Sequence, residues 1–548
     1  MLSYNNIEFN MGIPSYFSFI VKNHPNIIRK IYKDTIKINN FYLDSNSIIY
    51  DAVRNINFDE EINISNNSKI INRVIQKIEE YIKIICPDNL IMISFDGTPP
   101  IAKLEQQRNR RYKSWYQNEV TRDIFKKQTT DPFNTAEITC GTPFMNELDT
   151  KIKKYFSNPS KYGVNQIVFS GSNEYGEGES KIFNYIRNSE NVTSDSSNII
   201  YGLDADLIML AINNLPLYKN IYLFRETPEF IASIDSSLEP NENYMMDIPV
   251  LAESITLDMN NGIELTDEQR SSRIYDYIFI CFFLGNDFMP HFPSINIRTG
   301  GVHKMLNAYK ATIGPNEHLT NGKTIIWNNV RKMVSFLADL EEEHLKTETK
   351  KRDRSEKMGL PMSTPEEKFK KFDQLPCYER EVEKFINPFK NGWQQRYYKA
   401  LFDIEITQER RKQMSINYLE GLEWTMKYYT TGCPDWRWHY KYNYPPLLTD
   451  LIQFIPCFDT TFVTQSDKPP ITTMAQLCYV LPKPSLRLLP AKLQAELLTN
   501  YNHWYDTNCD FTWAYCRYFW ECHVNLPEID IDELEGLIET VKKDIFFK

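Results

Sequence analysis

The 548-residue chain is 42% hydrophobic and 14% aromatic. Such a composition excludes a wholly disordered protein and allows about two to four domain-sized units. No run of about 18 apolar residues occurs, so no membrane span is expected. The net charge of −10 argues against non-specific binding of nucleic acid over the whole surface, but it leaves room for a local basic patch.

The polar start from Met1 to Asn10 lacks the apolar core of a signal peptide. Ten cysteines are scattered from Cys86 to Cys522 with no Cys-x-x-Cys pair. This pattern reads as reduced thiols of an intracellular protein, with the cytoplasm expected and the nucleus left as the alternative. Cys516, Cys522 and His523 do not have the spacing of a standard zinc site.

In chain order, Phe41–Leu43, Leu90–Phe95, Gln166–Ser170 and Asn198–Gly202 are short apolar runs bounded by turn residues or acids. Each reads as a buried parallel strand. Helical stretches lie between them, among them Ser68–Ile85 and Glu179–Arg187. The alternation predicts an α/β fold, a mostly parallel central sheet with flanking helices on both faces. Leu340 to Lys371 is charged and weakly apolar, which reads as a solvated helix or loop. From Tyr378 onward the chain is rich in Trp and Tyr, with few strand signals until Cys478–Leu481 and His523–Leu526. The expected organisation is an α/β domain at 1–310, a charged helical linker at 311–377, and a mainly helical, aromatic-rich region at 378–548 packed on the first.

Acids recur where predicted elements end. Asp44, Asp96, and Asp204 with Asp206 follow strand runs. Glu177 and Glu179 sit in a glycine-rich turn, and Asp287 closes the apolar run Ile278–Leu284 through Gly285-Asn286. Ligands of an open parallel sheet bind at the carboxyl ends of its strands. Carboxylates gathered there repel one another unless cations neutralise them. Oxygen-only ligands suit Mg²⁺ or Mn²⁺, and seven acids can hold two ions. Any one of these acids alone is more simply a turn or helix cap. Recurrence at five places favours a shared metal site.

After Asp96 comes a basic helix in which Lys103, Gln107, Arg110 and Arg111 share a face. Arginines there suit two-point capture of a phosphate. An ordinary solvated face is the usual fate of such a charge run, but its place beside Asp96 favours the binding role.

These residues resemble the XRN-type 5′→3′ exoribonucleases. The likeness begins at Met11-Gly12-Ile13-Pro14-Ser15-Tyr16-Phe17 and continues through Tyr42-Leu43-Asp44-Ser45-Asn46, Phe95-Asp96-Gly97, Ala102-Lys103 to Arg111, and Gly141-Thr142-Pro143-Phe144-Met145. Gly176-Glu177-Gly178-Glu179-Ser180-Lys181, Gly202-Leu203-Asp204-Ala205-Asp206 and Gly285-Asn286-Asp287-Phe288 follow in order. Tyr428-Tyr429, Gly432-Cys433-Pro434, Trp436-Arg437-Trp438 and Tyr442-Asn443-Tyr444-Pro445-Pro446 are similar to the family's second core region.

The resemblance implies a PIN/flap-nuclease-like fold with the seven acids as metal ligands and Lys103, Gln107, Arg110 and Arg111 as a 5′-phosphate pocket. It also implies a first base sandwiched by Tyr50 and by Trp436 or Trp438, the choice between the two tryptophans staying open. The substrate implied is single-stranded RNA with a 5′-monophosphate, with no membrane partner. The family usually has histidine where this chain has Tyr50, and ten residues precede Met11. The long C-terminal domains of the large members and the zinc knuckle of some nuclear members are not expected. Near-minimal length and abundant Asn, Ile, Lys and Tyr would suit a large DNA virus. A flap-type DNA 5′ nuclease would need a helical duplex-binding element after Asp287. An inactive RNA-binding scaffold would have lost at least one of the carboxylates.

Overall fold

The computed structural model describes residues 16–30, 37–58, 65–126, 133–227, 231–233 and 235–546. The family-like start at Met11 to Ser15 and the ten residues before it lie outside the described residues.

Seven strands form one sheet: β1 (Ile28–Lys30), β2 (Asn40–Asp44), β3 (Leu90–Ser94), β4 (Gln166–Ser170), β5 (Ser197–Tyr201), β6 (Asn220–Glu226) and β7 (Asn243–Asp247). Their order is β1-β7-β6-β5-β2-β3-β4. The run β6-β5-β2-β3-β4 is parallel throughout, whereas β7 and β1 add antiparallel strands at one edge. The four expected strands are present within a residue or so of their expected ends. Strands β1, β6 and β7 were not read from the sequence, although β6 holds the contiguous apolar residues Ile221, Tyr222, Leu223 and Phe224, and β7 holds Tyr244, Met245 and Met246.

Period-two alternation sends successive side chains to opposite faces of the sheet. On β2, Phe41 and Leu43 join one core with Ile91, Ile93 and Ile199. Tyr42 joins the other, with Met92 and Ile200. The first face is covered by helices Asn46–Asn55, Asn66–Ile85 and Pro143–Tyr155. Gly178–Asn188, Ala205–Asn214 and Asp267–Cys281 cover the second. Each apolar side chain fully buried between sheet and helix contributes roughly 1.5–3 kcal/mol.

The second core does not stop at the sheet and the helices that flank it. Trp327, Val330, Met333 and Leu337 of helix Trp327–Asp339 belong to it, as do Tyr418, Leu422, Trp424 and Tyr428 of helix Gln408–Thr430. The charged stretch after Leu340 is helical, with Glu341–Glu356 and Pro365–Asp373. Glu341 is buried at its start, accepting from the backbone N–H of Leu448 at 2.8 Å and of Thr449 at 3.1 Å.

One strand expectation is corrected. Cys478–Leu481 is not a strand, since Thr473–Val480 is a helix capped by Thr472, whose side chain accepts from Ala475 N–H. A short apolar run has no periodicity of its own. Here Leu477, Cys478 and Val480 bury against Ile101 and Leu104 of the basic helix. The other late signal holds in part, with His523–Val524 forming a short strand against Phe511–Thr512. Among the described residues no helix is long and apolar enough to cross a membrane.

Candidate active site

In the parallel part of the sheet, chain order reverses at β2 and β5, which lie side by side at its centre. Crevices at such a reversal, outside the carboxyl ends of the strands, are where open α/β sheets bind ligands. Asp44 ends β2 there, and Asp204 follows β5. Asp204 caps helix Ala205–Asn214, its side chain accepting from Asp206 N–H at 3.2 Å. Glu177 occupies the cap position of helix Gly178–Asn188, with Glu179 in its first turn. Asp287 follows the turn Phe282–Leu284.

Close backbone packing draws these ends together. Gly97 N–H donates to Gly176 O at 2.9 Å, and Gly176 N–H donates to Thr98 O at 2.8 Å. Gly178 N–H donates to Asp96 Oδ1 at 2.7 Å. A Cβ at Gly97 would collide with Glu174 O, and one at Gly178 with Asp44 Oδ1. Both turns therefore need glycine for close approach.

Electrostatics follow from burial. Desolvation, then Asp96 and Asp204, push the Asp44 carboxyl well above the usual carboxylate range. Burial, then Asp204 and Glu177, do the same to Glu179, as burial and Asp287 do to Asp206. Burial, then Asp287, raises Asp204 to about 7. Burial also raises Glu177, although Lys103 pulls against it.

The counter-charge is Lys103. Its ammonium lies 2.7 Å from Glu177 Oε1 and pairs with Asp287 Oδ2. Burial opposes its charge, but Asp287, Glu177 and Asp204 together hold the ammonium well above the usual lysine range. Lys103 is thus buried against the acids and is not itself on the wall of the groove that Gln107, Arg110 and Arg111 line.

That groove is a cavity of about 2090 Å³. Asp44, Asp96, Glu177, Glu179, Asp204 and Asp287 line its acidic floor, and Gln107, Arg110, Arg111 and Tyr50 line its wall. Asp206 lies behind the floor, 2% exposed. Gln107 Oε1 and Arg111 Nε are buried with no hydrogen-bond partner among the described residues. Trp436 and Trp438 are not on the cavity wall, although Arg437, His439 and Tyr440 between and after them are. Trp438 stacks on Trp424 at 5.2 Å, and Trp436 packs beside Tyr175 at 6.1 Å.

The donor set suits a hard divalent cation. It is all oxygen, and Asp44 Oδ1, Glu179 Oε2 and Asp206 Oδ1 are buried with no hydrogen-bond partner among the described residues. Such orphaned oxygens are costly unless something pairs with them. Among the described residues, no three His, Cys, Asp or Glu side chains close into a finished ligand shell. Lys103 takes up Glu177 and Asp287 instead.

Two supporting residues escaped the sequence reading. Asn46 Nδ2 donates to Asp96 Oδ2 at 2.6 Å, and Asn46 Oδ1 accepts from Asp96 N–H at 3.1 Å. Gln106 Nε2 donates to Asp287 Oδ1 at 2.5 Å. Their signals were present: Asn46 stands two places after Asp44, and Gln106 one helical turn after Lys103.

Known families match this arrangement. The description "XRN 5′-3′ exonuclease N-terminus" matches residues 11–227, and "Xrn1 helical domain" matches residues 269–384 and 363–546. The chain is 26% identical to the 5′-3′ exoribonuclease 2 homolog of Drosophila melanogaster, over 95% of this chain and 70% of that protein. It is 27% identical to 5′-3′ exoribonuclease 1 of Saccharomyces cerevisiae, over 88% of this chain and 40% of that protein. With human 5′-3′ exoribonuclease 1 the identity is 28%, over 97% of this chain and 34% of the relative. With both matched descriptions lying over its sheet and its helical region, the chain belongs to the XRN family of 5′→3′ exonucleases.

Proposed function

We propose that this chain is a divalent-metal-dependent 5′→3′ exoribonuclease that hydrolyses single-stranded RNA bearing a 5′-monophosphate to nucleoside 5′-monophosphates, in RNA decay. The observation that carries this reading is one cavity whose floor is acidic and whose wall presents Gln107, Arg110 and Arg111. In it, residues 1–310 form the nuclease part, 311–377 connect, and 378–548 form the second part.

Asp44, Asp96, Glu177, Glu179, Asp204, Asp206 and Asp287 would hold Mg²⁺ or Mn²⁺, two ions in all. Bound there, the cations supply activation of water and neutralise charge at the leaving 3′-oxygen. The protein's own groups do the rest. Gln107, Arg110 and Arg111 receive the terminal phosphate, with Lys103 at the boundary between phosphate and acids. Arginine forks fix a phosphate by direction as well as charge. Tyr50 offers a face to the first base, and the segment carrying Trp436 and Trp438 supplies the opposite face. Base stacking tolerates any sequence. Capture of a terminal monophosphate sets the chain's register, so a capped or triphosphorylated end fits poorly. The match of the helical description beyond Asp287 disfavours a flap-type DNA nuclease, and retention of all seven acids disfavours an inactive scaffold.

The test uses one 3′-labelled RNA with a 5′-monophosphate, 5′-triphosphate or 5′-hydroxyl, with Mg²⁺ or EDTA. Mononucleotides are expected from the monophosphate RNA alone, and neither in EDTA nor with Asp204→Ala. Equal cleavage of all three ends would remove the phosphate-pocket assignment. No metal-dependent cleavage by folded protein would overturn the enzyme reading.

A further inference from the structure

Glu177, like Asp96 and Asp287, has both of its oxygens held, and one of its partners comes from helix Gln408–Thr430. Lys103 lies 2.7 Å from Oε1, and the Tyr428 hydroxyl donates to Oε2 at 3.2 Å, across 251 residues of sequence. By contrast, Asp44, Glu179 and Asp206 each keep a buried oxygen without a partner among the described residues. Glu177 also stands between two glycines, Gly176 at φ +100° and Gly178. No side chain beside it in sequence restricts where its carboxylate points.

Tyr428 has no such freedom. Its ring is stacked on Trp424, with centroids 5.0 Å apart and planes at 12°. Phe288, next to Asp287, meets it edge-on at 5.1 Å. Trp424 is pinned in turn, its Nε1 donating to Asp435 O at 2.8 Å. A phenol is protonated at neutral pH, so the Tyr428 hydroxyl has a hydrogen to donate to Glu177. The Ser180 hydroxyl lies beside the Tyr428 hydroxyl.

We propose that Tyr428 is a positioning residue: its hydroxyl, fixed by the Trp424–Phe288 packing, orients the Glu177 carboxylate for cation binding, so that the helical region completes the metal site of the sheet. Hydrogen-bond partners of a ligating carboxylate set its direction and basicity, and losing one typically lowers metal affinity about 10–100-fold. The inference rests on the reading of Glu177 as a cation ligand.

The test is Mn²⁺ binding to the whole RNA-free protein, followed by electron paramagnetic resonance. Tyr428→Phe keeps the ring and its stack and removes only the oxygen. Its Mn²⁺ affinity is expected to fall about tenfold, the lower end of that range. The kcat should fall at limiting Mn²⁺ and recover at saturation, while KM for RNA is unchanged. In the Glu177→Gln background the same change should add nothing. Trp424→Phe, which loosens the stack without touching Glu177, should give a smaller loss and serves if Tyr428→Phe does not fold. Unchanged Mn²⁺ affinity in these variants, or additive losses in the double variant, would overturn the proposal. If wild type binds Mn²⁺ and Asp204→Ala does not, such a failure removes only the role of Tyr428. If wild type binds none, the cation reading falls and takes this inference with it.

Discussion

The acidic side of the cavity draws its carboxylates from five separate stretches of chain, while residues Gln107, Arg110 and Arg111 of its basic side come from one helix. The acids are placed by the sheet: strands β2, β3 and β5 end at one edge, and the turns beyond them lock together through Gly97, Gly176 and Gly178. The basic wall is placed by helical period alone. A site of the first kind resists change because each acid is buried among the others. A site of the second kind is adjustable, because each side chain acts nearly alone. Lys103 belongs to both, since it is carried by the basic helix and buried among the acids.

If this contrast holds, the largest effect comes from the acidic side. Asp44→Asn should lower kcat on the order of a thousandfold, several kcal/mol of transition-state stabilisation, with RNA binding retained. Single-turnover kinetics would measure it, and a loss below tenfold would place Asp44 outside the metal site.

Lys103→Met comes next. Removing the ammonium leaves buried acids without their counter-charge, a change that typically costs about 3–5 kcal/mol. Urea unfolding in EDTA should register the loss, and Mn²⁺ should restore more stability to the variant than it adds to wild type. Equal Mn²⁺ stabilisation of both would break the view of Lys103 as counter-charge.

A third effect lies on the cavity wall, where His291 and His523 are half-buried and the His291 charge acts on His523. Burial lowers His291 to about 4 and His523 to about 3. A histidine held below its unfolded value binds fewer protons folded than unfolded. Its stability contribution is therefore present above about pH 6.5 and is lost as pH falls toward 4. For His291 this is on the order of 3 kcal/mol. In denaturant titrations from pH 7 to 4, His291→Asn should flatten the slope. An unchanged slope would show that other groups govern acid unfolding.

The smallest effect is expected on the basic wall. Arg111→Ala should raise KM for 5′-monophosphate RNA about tenfold, as one charge-assisted hydrogen bond of roughly 1.5 kcal/mol is lost. The kcat should change little, and KM for 5′-hydroxyl RNA should not change. If both RNAs weaken alike, Arg111 acts on the RNA backbone in general rather than on its end.

Much of this arrangement was legible in residues read locally. Strands β2 to β5 showed as apolar runs, and Asp44, Asp96 and Asp204 showed by standing just beyond three of them. Lys103, Gln107, Arg110 and Arg111 do lie on one helix, Ile101–Phe125, but only the last three line the groove, Lys103 being buried against the acids. Thr473–Val480 was misread as strand in part because its apolar side chains serve a partner, Ile101 and Leu104, some 370 residues away. Trp436 and Trp438 stood out by type and spacing, yet their rings pack against Tyr175 and Trp424 rather than lining the cavity.

Sequence by itself determined the parts whose cause is local. These are the period of strand and helix, the glycines at tight turns, and the recurrence of acids at the ends of predicted elements. Tertiary structure alone decided the pairings: Lys103 with Glu177 and Asp287, Asn46 with Asp96, Tyr428 with Glu177. Each joins residues far apart in the chain, and its strength depends on burial that no neighbour in sequence imposes. Water is excluded from these pairs only when sheet and helices close over them together.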